Sequence, residues 1–314
     1  MKPNIIPSCW SETDTLKTVM VCSPSTMDVP DKQTAKDVLW EKPVNQKKAA
    51  ENHEELCEAL ESEGVQVINY GDHLPEDDLH VNKQLINRVF VRDLACVFGE
   101  TIIPGEPGIT MRKPEYVHSH NLMEQWFRES FKLEANNGMK ALEYGDVIIL
   151  NRDAIVVNVG LRTSILSIEK IKDHIHEAGF SEIGIIDLPR RADTLHLDMN
   201  LNVAGQNMVL SKSYVKFLPV FTLTEKDSRY EMFHHFLGRH GFDVHWTNKV
   251  TDTVADINFL NINPETILIS NQRRKSIFRD HPALKKLKYI EVDVSELEKG
   301  GGGIRCMTLP LRRE

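Results

Sequence analysis

Two stretches of the chain share one order of predicted elements, and this repeat restricts the folds open to it. Each has two short β-rich runs separated by a turn, then a helical stretch and a third β-rich run. Such runs are typical of hairpins, and apolar residues at every third or fourth position predict amphipathic helices. The first stretch predicts strands at 147–150, 155–159 and 184–188 and a helix at about 164–178. The second predicts strands at 257–262, 266–270 and 289–292 and a helix at about 280–286.

Three looser copies of this unit occupy the rest of the chain. They predict strands at 19–22 and 65–68 with a helix at about 46–63, strands at 95–98 and 101–103 with a helix at about 118–132, and strands at 208–210 and 243–246 with a helix at about 227–240. Units that cannot bury their faces alone are expected to close on each other. We therefore predict one α/β domain over residues 1–314, with five ββαβ units around a central axis. The polar residues 24–45 are predicted to form a flexible loop and a candidate lid.

The composition argues against several classes of partner. A net charge of −8 disfavours nucleic acid and anionic membranes. No apolar run approaches the roughly 18 residues that span a bilayer, and the proline-interrupted residues 1–7 do not resemble a signal peptide. The five cysteines form no CxxC pair and no zinc spacing, which predicts reduced thiols in a cytoplasmic protein. The oligomeric state stays open, and a homo-oligomer is compatible with the sequence.

Four consecutive glycines, residues 300–303, end three residues before Cys306. Such a run costs too much entropy inside a helix or strand, so it suits a place where the backbone passes very close to another group. The neighbouring amides and Arg305 are expected to favour the thiolate form of Cys306. Cys306 is therefore a candidate nucleophile.

Polar clusters precede three other units, at residues 87–93, 143–146 and 196–198. Their shared position in the repeat predicts that they meet Cys306 near one axis. A cysteine, a histidine and carboxylates together form a set of nucleophile, base and orienting group. The excess of carboxylates also predicts a cationic substrate. Taken singly, each residue has an ordinary explanation as a turn residue, a solvated charge or one of 13 histidines.

These clusters resemble motifs of the guanidino-group-modifying enzymes, the superfamily of arginine deiminase, dimethylarginine dimethylaminohydrolase and glycine amidinotransferase. The similar segments, in chain order, are residues 87–93 (NRVFVRD), 143–147 (EYGDV), 160–163 (GLRT), 196–198 (HLD) and 301–310 (GGGIRCMTLP). The resemblance implies the pentein fold, a five-bladed pseudo-symmetric α/β propeller. That fold agrees with the five units read from the repeat.

The resemblance also implies roles for the residues that match. Cys306 would attack the guanidinium carbon and form a covalent thiouronium intermediate. His196 would protonate the leaving amine and then activate water, and Glu143 would orient His196. Asp93 and Asp198 would bind the guanidinium N–H groups through charge-assisted hydrogen bonds.

Arg162 would bind the α-carboxylate of the substrate, and Arg112 is a second candidate for that contact. Asp146 is expected to hold its own turn and not to touch the substrate. We expect no metal, because histidine and cysteine are not at ligand spacing, and no cofactor. The expected partner is a small guanidino compound.

The family member stays open at this point. The pair His196 and Asp198 favours a deiminase or a transferase over a dimethylarginine hydrolase. The chain departs from arginine deiminases in lacking room for their helical insertion and in carrying Tyr144 in place of a glycine, which is expected to narrow the pocket or contact substrate. The favoured reaction is hydrolysis of the guanidino group of arginine or a derivative. Transfer of the amidino group to an amine and dimethylarginine hydrolysis are the alternatives. A propeller that serves only as a binding scaffold, as in a translation factor, would lack Cys306 and His196.

Overall fold

This computed structural model describes residues 3–314, which contain sixteen strands and ten α-helices. The strands are β1 Leu16–Val21, β2 Gln66–Asn69, β3 Ala95–Phe98, β4 Thr101–Pro104, β5 Val147–Ile149, β6 Ala154–Asn158, β7 Glu182–Ile186, β8 Leu201–Val203, β9 Met208–Lys212, β10 Pro219–Leu223, β11 Ser228–Met232, β12 Asp243–Thr247, β13 Leu260–Asn263, β14 Thr266–Ser270, β15 Lys288–Val292 and β16 Leu309–Arg313. The helices are α1 Lys32–Asp37, α2 Gln46–Ser62, α3 Glu76–Asn82, α4 Lys113–Trp126, α5 Ile165–Glu177, α6 Phe233–Arg239, α7 Thr253–Ile257, α8 Lys275–Arg279, α9 Pro282–Lys285 and α10 Ser295–Glu298.

The strands form five sheets with mixed parallel and antiparallel pairing. In three of them an antiparallel hairpin is followed, after a helix, by a third strand parallel to the second: β5-β6-β7, β8-β9-β12 and β13-β14-β15. This is the ββαβ order that the repeat predicted. The sheet β16-β1-β2 has the same pattern, with its first strand supplied by the C-terminal end of the chain. The hairpin β3-β4 has only one parallel bridge, Ile102 to Phe131, where its third strand would lie.

Helix α5 shows why a unit of this kind folds. Ser164 caps its N-terminus by accepting the Leu166 N–H, and Gly179 follows its end with φ 110°. Ile168, Ile171 and Ile175 lie on one face and are fully buried. Burying an isoleucine side chain contributes about 1.5–3 kcal/mol, so this apolar face holds the helix against its sheet.

Several boundaries differ from the sequence prediction. Residues 228–232 form strand β11 and not the start of a helix, because they pair with β10 and extend the sheet of β5-β6-β7 by two strands. The helix predicted at about 118–132 spans 113–126, with Pro114 in its first turn. Residue 257 ends helix α7, so the strand predicted to start there begins at Leu260. The helix predicted at about 280–286 is α9, and it follows a further short helix, α8.

Residues 24–45 form a strap, part of which lines a mainly apolar cavity beside the glycine run. The strap contains α1 and closes on itself through a bridge between Val29 and Val44. Trp40 Nε1 donates to Asn87 Oδ1 at 2.8 Å, and the Glu41 N–H donates to the Lys299 carbonyl at 2.9 Å. These bonds tie the strap to two of the polar turns. None of the helices between residues 3 and 314 has the length and apolar character needed to cross a membrane.

Candidate active site

A cavity of about 510 Å³ brings together five of the seven residues predicted from the sequence. Those that line it are Asp93, Arg112, Arg162, His196 and Cys306. The other two, Glu143 and Asp198, are fully buried and are bonded to His196 and to Cys306 respectively. A second groove, of about 520 Å³, lies between α3 and α4 and is lined by none of these residues.

His196 and Glu143 form a buried ion pair. His196 Nε2 and Glu143 Oε2 are 2.8 Å apart, and both side chains are almost fully buried. The turn that carries His196 is held by Asn200, whose Nδ2 donates to the His196 carbonyl at 2.7 Å. Gly145 lets the ring approach the backbone, because a Cβ at that position would lie 2.6 Å from His196 Nδ1.

In this pair the pKa of His196 is raised and the pKa of Glu143 is lowered. Burial opposes a charge on His196, but the carboxylates of Asp93, Glu143 and Asp146 outweigh it and raise the pKa of His196 to about 10. Burial also opposes a charge on Glu143, and the hydrogen bond and charge of His196, with Arg112 and Arg162, lower the pKa of Glu143 to about 2. The pair is therefore an imidazolium and a carboxylate at neutral pH. A charged His196 can act as a general acid.

Cys306 lies against Asp198. Cys306 Sγ is 3.6 Å from Asp198 Oδ2, which also accepts a hydrogen bond from Arg305 Nη1 at 2.9 Å. Arg305 is 1 % exposed and shares its charge between Asp198 and Glu12, with Nη2 donating to Glu12 Oε1 at 2.7 Å. Asp198 Oδ1 is buried and has no hydrogen-bond partner among the described residues. This oxygen therefore retains an unused capacity to accept a hydrogen bond.

These surroundings favour the thiol form of Cys306. Burial and the carboxylates of Asp198 and Asp93 raise the pKa of Cys306 well above its usual value, and Arg305 offsets only part of this effect. The expectation that Arg305 would favour the thiolate is right in direction, because its charge lowers the pKa of Cys306, but burial and the two carboxylates outweigh it. Arg305 is itself paired with Asp198 and Glu12.

The glycine run packs against an aromatic ring. A Cβ at Gly300 or Gly302 would lie 2.9 Å or 2.6 Å from the ring of Phe90, so the close backbone approach predicted for the run is present. The Cys306 N–H does not point at the cavity, because it donates to Asn258 Oδ1 at 2.9 Å. That amide therefore cannot stabilise a developing charge on substrate.

Arg112 occupies a different place from the one expected of a carboxylate-binding residue. Its Nη1 donates to Asp93 Oδ2 at 2.6 Å, its Nε to Glu115 Oε2 at 2.9 Å and its Nη2 to the Phe90 carbonyl at 2.9 Å. All three nitrogens are occupied and the side chain is 6 % exposed. Arg112 is thus a counter-ion for Asp93. This arrangement argues against its predicted role as a second clamp for a substrate carboxylate.

Arg162 keeps part of its guanidinium available. Its Nη1 lies 3.2 Å and 3.3 Å from the two oxygens of Glu143, and its side chain is 13 % exposed to the cavity. Gly108 permits this approach, since a Cβ there would lie 2.9 Å from Arg162 Cδ. The Gly108 N–H donates to Glu143 Oε1 at 2.8 Å, which fixes the carboxylate that orients His196.

Two expectations about the 143–146 turn have different outcomes. Tyr144 is fully buried and packs edge-on against Phe98 at 6.0 Å, so it does not narrow the cavity as expected. Asp146 does not contact the cavity, in agreement with the expectation, but its Oδ1 accepts from Asn158 Nδ2 and from the Leu197 N–H. Asp146 therefore holds the turn that carries His196, through the Leu197 N–H.

Sequence reasoning missed three residues of the site. Glu115 and Glu12 are the partners of Arg112 and Arg305, and no local motif marks them. Asn258 bonds the backbone of Cys306, and it stands just before strand β13. The polar clusters of the other units occupy that same position, so the repeat itself could have identified Asn258.

One trio could hold a cation. Ligand atoms of Asp93, Glu143 and His196 lie within 4.8 Å of one another. Arg112 already contacts Asp93 and lies 4.0 Å from Glu143, so an arginine supplies positive charge there. The absence of a metal in the function of this site stays a prediction.

Comparison with known sequences agrees with the motifs. The sequence model of the arginine deiminase family matches residues 76–313. The uncharacterized protein YkgA of Bacillus subtilis (strain 168) is 27 % identical over 97 % of this chain and 95 % of its own length. Arginine deiminase 1 of Staphylococcus epidermidis is 25 % identical over 55 % of this chain. This match covers 48 % of that enzyme's length.

Solved structures of similar fold cover nearly the whole chain. The dimethylarginine dimethylaminohydrolase of Pseudomonas aeruginosa, complexed with citrulline, matches with a TM-score of 0.67 and 18 % identity, over 94 % of this chain and 99 % of its own. SxtG, an amidinotransferase from Microseira wollei, matches with a TM-score of 0.67 and 18 % identity, over 99 % of this chain and 98 % of its own. At these identities the likeness concerns the fold.

Proposed function

Because the chain belongs to the arginine deiminase family, we propose that it hydrolyses the guanidino group of arginine or an arginine derivative through a covalent thiouronium on Cys306. The observation that carries this proposal is one cavity with Cys306 against the carboxylate of Asp198 and His196 paired with Glu143 at 2.8 Å. A thiol, an imidazolium and neighbouring carboxylates form the set of groups that attack on a cationic, resonance-stabilised carbon requires.

The guanidinium binds between Asp93 and Asp198. Asp198 Oδ1 has no partner among residues 3–314, so it accepts one N–H, and Asp93, which lines the cavity, accepts another. Asp93 is shared with Arg112 and with the Gly145 N–H, which hold its carboxylate in place.

Substrate charge activates the nucleophile. The same two carboxylates that bind the guanidinium, Asp198 and Asp93, raise the pKa of Cys306. A bound cation offsets them, so the thiol loses its proton to solvent as the substrate binds. Ionisation of Cys306 is thereby coupled to the presence of a positively charged substrate.

His196 donates a proton in the first step of the reaction and accepts one in the second. The thiolate attacks the guanidinium carbon, and His196 gives its proton to the departing nitrogen as the C–N bond breaks, so that ammonia or an amine leaves. Neutral His196 takes a proton from water, whose oxygen attacks the thiouronium carbon. The hydroxyl of this tetrahedral adduct releases its proton to solvent as the C–S bond breaks, and a citrulline-type product and the Cys306 thiolate result. Glu143 holds the imidazole in one orientation through both steps.

Arg162 is the proposed partner of a substrate carboxylate. It lines the cavity, and only its Nη1 is bound to Glu143. We do not extend this role to Arg112, whose nitrogens are all used within the protein. The proposed partner is thus a small guanidino compound, and we retain the cytoplasm as the proposed location.

The five sheets are proposed to be the blades of a pseudo-symmetric propeller over one domain, residues 1–314. Four sheets have the same pairing pattern, and β16 supplies the first strand of the sheet that contains β1, which would close such a ring. The turns before the sheets are also linked in order, since Gly145 N–H donates to Asp93 and Leu197 N–H to Asp146.

Transfer of the amidino group to an amine is the second candidate. It is supported by the fold that the chain shares with the amidinotransferase SxtG, a match that covers 98 % of that protein. Hydrolysis of dimethylarginine is a third reaction of the same kind, and a likeness of fold supports it as well.

Incubation with L-arginine, asymmetric dimethylarginine and agmatine in separate reactions, followed by mass spectrometry, tests the proposal. Citrulline from arginine is expected with the native protein and not with Cys306→Ala. Cys57→Ala serves as a matched control, because Cys57 lies on α2 outside the cavity. Turnover only after addition of an amine would favour the transferase. No turnover, together with ordinary alkylation of Cys306, would refute the enzyme proposal.

A further inference from the structure

We infer that Asn258 is a positioning residue for Cys306, whose carboxamide fixes the nucleophile's backbone to the Asp198 turn without adding a charge. The inference rests on the proposed function in one respect, namely that Cys306 is the nucleophile. It concerns a residue that lies outside the cavity lining and outside all five motifs of the sequence.

Asn258 holds two turns at once. Its Oδ1 accepts the Cys306 N–H at 2.9 Å, and its Nδ2 donates to the Asp198 carbonyl at 3.3 Å. Its own carbonyl accepts the Arg305 N–H at 3.1 Å. With 2 % of its surface exposed, Asn258 is a rigid link between the sulfur's backbone and the carboxylate that lies 3.6 Å from that sulfur.

The surroundings leave Asn258 no alternative position. It ends helix α7, whose N-terminus is capped by Asp252. Gly303 packs directly on it, since a Cβ there would lie 2.9 Å from Asn258 Cβ and 3.0 Å from its carbonyl oxygen. The last glycine of the run is therefore small because Asn258 fills the adjoining space.

The repeat shows what is special about an amide here. In two other units the same link is made by a carboxylate: Asp93 Oδ1 accepts the Gly145 N–H at 2.9 Å, and Asp146 Oδ1 accepts the Leu197 N–H at 3.1 Å. Of these three links, the one to the turn that carries Cys306 has an uncharged amide oxygen as its acceptor.

A carboxylate at this position would act against catalysis. The groups that set the charge around Cys306 are Asp198 and Asp93, which favour the thiol, and Arg305, which opposes them. His196, Arg112, Arg162, Glu41 and Lys36 line the same cavity. A further negative charge bonded to the Cys306 amide would disfavour the thiolate still more, whereas the amide of Asn258 supplies the same hydrogen bond at no electrostatic cost.

The substitution Asn258→Asp tests the inference without any substrate. The measurement is the rate of alkylation by iodoacetamide, followed on the Cys306 peptide by mass spectrometry between pH 7 and 9.5. Below the thiol pKa this rate follows the thiolate fraction, so a pKa higher by one unit slows it about tenfold at every pH. Asn258→Asp is expected to be slowed by at least about tenfold.

Asn261→Asp is the matched control. Asn261 is an equally buried asparagine whose Oδ1 accepts the Gly205 N–H and whose Nδ2 donates to the Val203 carbonyl, and it has no bond to Cys306. It is expected to react within about twofold of the native protein. Equal slowing in both variants, or a rate in Asn258→Asp within about twofold of native, would overturn the inference.

Asn258→Ser covers the case in which the charged variant does not fold. The shorter side chain cannot hold both turns, so deuterium exchange of the peptide containing Cys306 is expected to quicken at least about tenfold while its alkylation is not slowed. Unchanged exchange would contradict the positioning role. If a guanidino substrate is available, the kcat of Asn258→Ser should be lower than that of the native protein, and its KM should stay within about twofold of the native value. Alkylation of Cys306 can be measured without turnover. Failure to find a substrate would therefore count against the proposed function, but the alkylation rates would still test the role of Asn258.

Discussion

The pair of Glu143 and His196 allows a pH-dependent prediction of stability. Replacing Glu143 with Gln removes the carboxylate that lies 2.8 Å from His196 and leaves a buried imidazole without its counter-ion. The pKa of Glu143 is lowered from 4.5 to about 2, which corresponds to about 3 kcal/mol. Breaking a buried ion pair costs 3–5 kcal/mol in general. We therefore expect Glu143→Gln to lower the free energy of unfolding by about 3 kcal/mol near pH 5.5.

The two pKa shifts define the pH range of this effect. The contribution of Glu143, whose pKa is lowered on folding, is present above 4.5 and is lost as the pH falls through about 2. The contribution of His196, whose pKa is raised from 6.5 to about 10, is complete below 6.5 and is lost as the pH rises through about 10. The difference between native protein and variant should be largest between pH 4.5 and 6.5 and should shrink on both sides.

Urea denaturation at pH 3, 5.5 and 10.5 measures this difference. Glu115→Gln is the control, because Glu115 is also a buried carboxyl group but bonds Arg112 and does not contact His196. Burial raises the pKa of Glu115 from 4.5 to about 7, so the native protein should lose stability relative to this variant as the pH rises between those values. A difference for Glu143→Gln below about 1 kcal/mol at pH 5.5, or one that does not change with pH, would refute the reasoning.

Three further changes have definite expected results. Gly145→Ala would place a Cβ 2.6 Å from His196 Nδ1, so turnover of a guanidino substrate should fall by about 100-fold or more, and a crystal structure should show the ring displaced. Tyr144→Phe removes a buried hydroxyl that has no partner among the described residues, so thermal melting should stay unchanged or rise, with turnover unaffected. Trp40→Phe removes the 2.8 Å bond to Asn87 Oδ1 that ties the strap to the site, and steady-state kinetics should show a higher KM with kcat retained.

The repeat predicted the fold well where each strand lies beside its neighbour in sequence. The units around β5-β6-β7 and β13-β14-β15 are local, and their patterns of apolar residues and turns were enough to predict them. The hairpin β10-β11 was missed because its partner, β7, lies in the preceding unit. Pairing between distant segments leaves little trace in local periodicity, so the sequence predicts a helix at about 227–240 where residues 228–232 form a strand.

In the site, too, the sequence identifies the residues but not the partners that they contact. Motifs identified Cys306, His196 and Glu143, and the structure brings them to one cavity or directly behind it. Arg305 favours the thiolate of Cys306 as expected, but burial, Asp198 and Asp93 outweigh it, and Glu12, 293 positions away, shares its charge. No spacing rule in the sequence points to such a contact.

The repeated α/β unit, the order of the motifs and the residue types that could do chemistry follow from the sequence alone, because they depend on local propensity and side-chain identity. Which charges neutralise each other depends on contacts made in the folded protein. There Arg112 pairs with Asp93, Arg305 pairs with Asp198 and Glu12, and the Cys306 N–H donates to Asn258. The physical reason is that the energy of a charge depends on burial and on distances of a few ångströms between groups far apart in the chain.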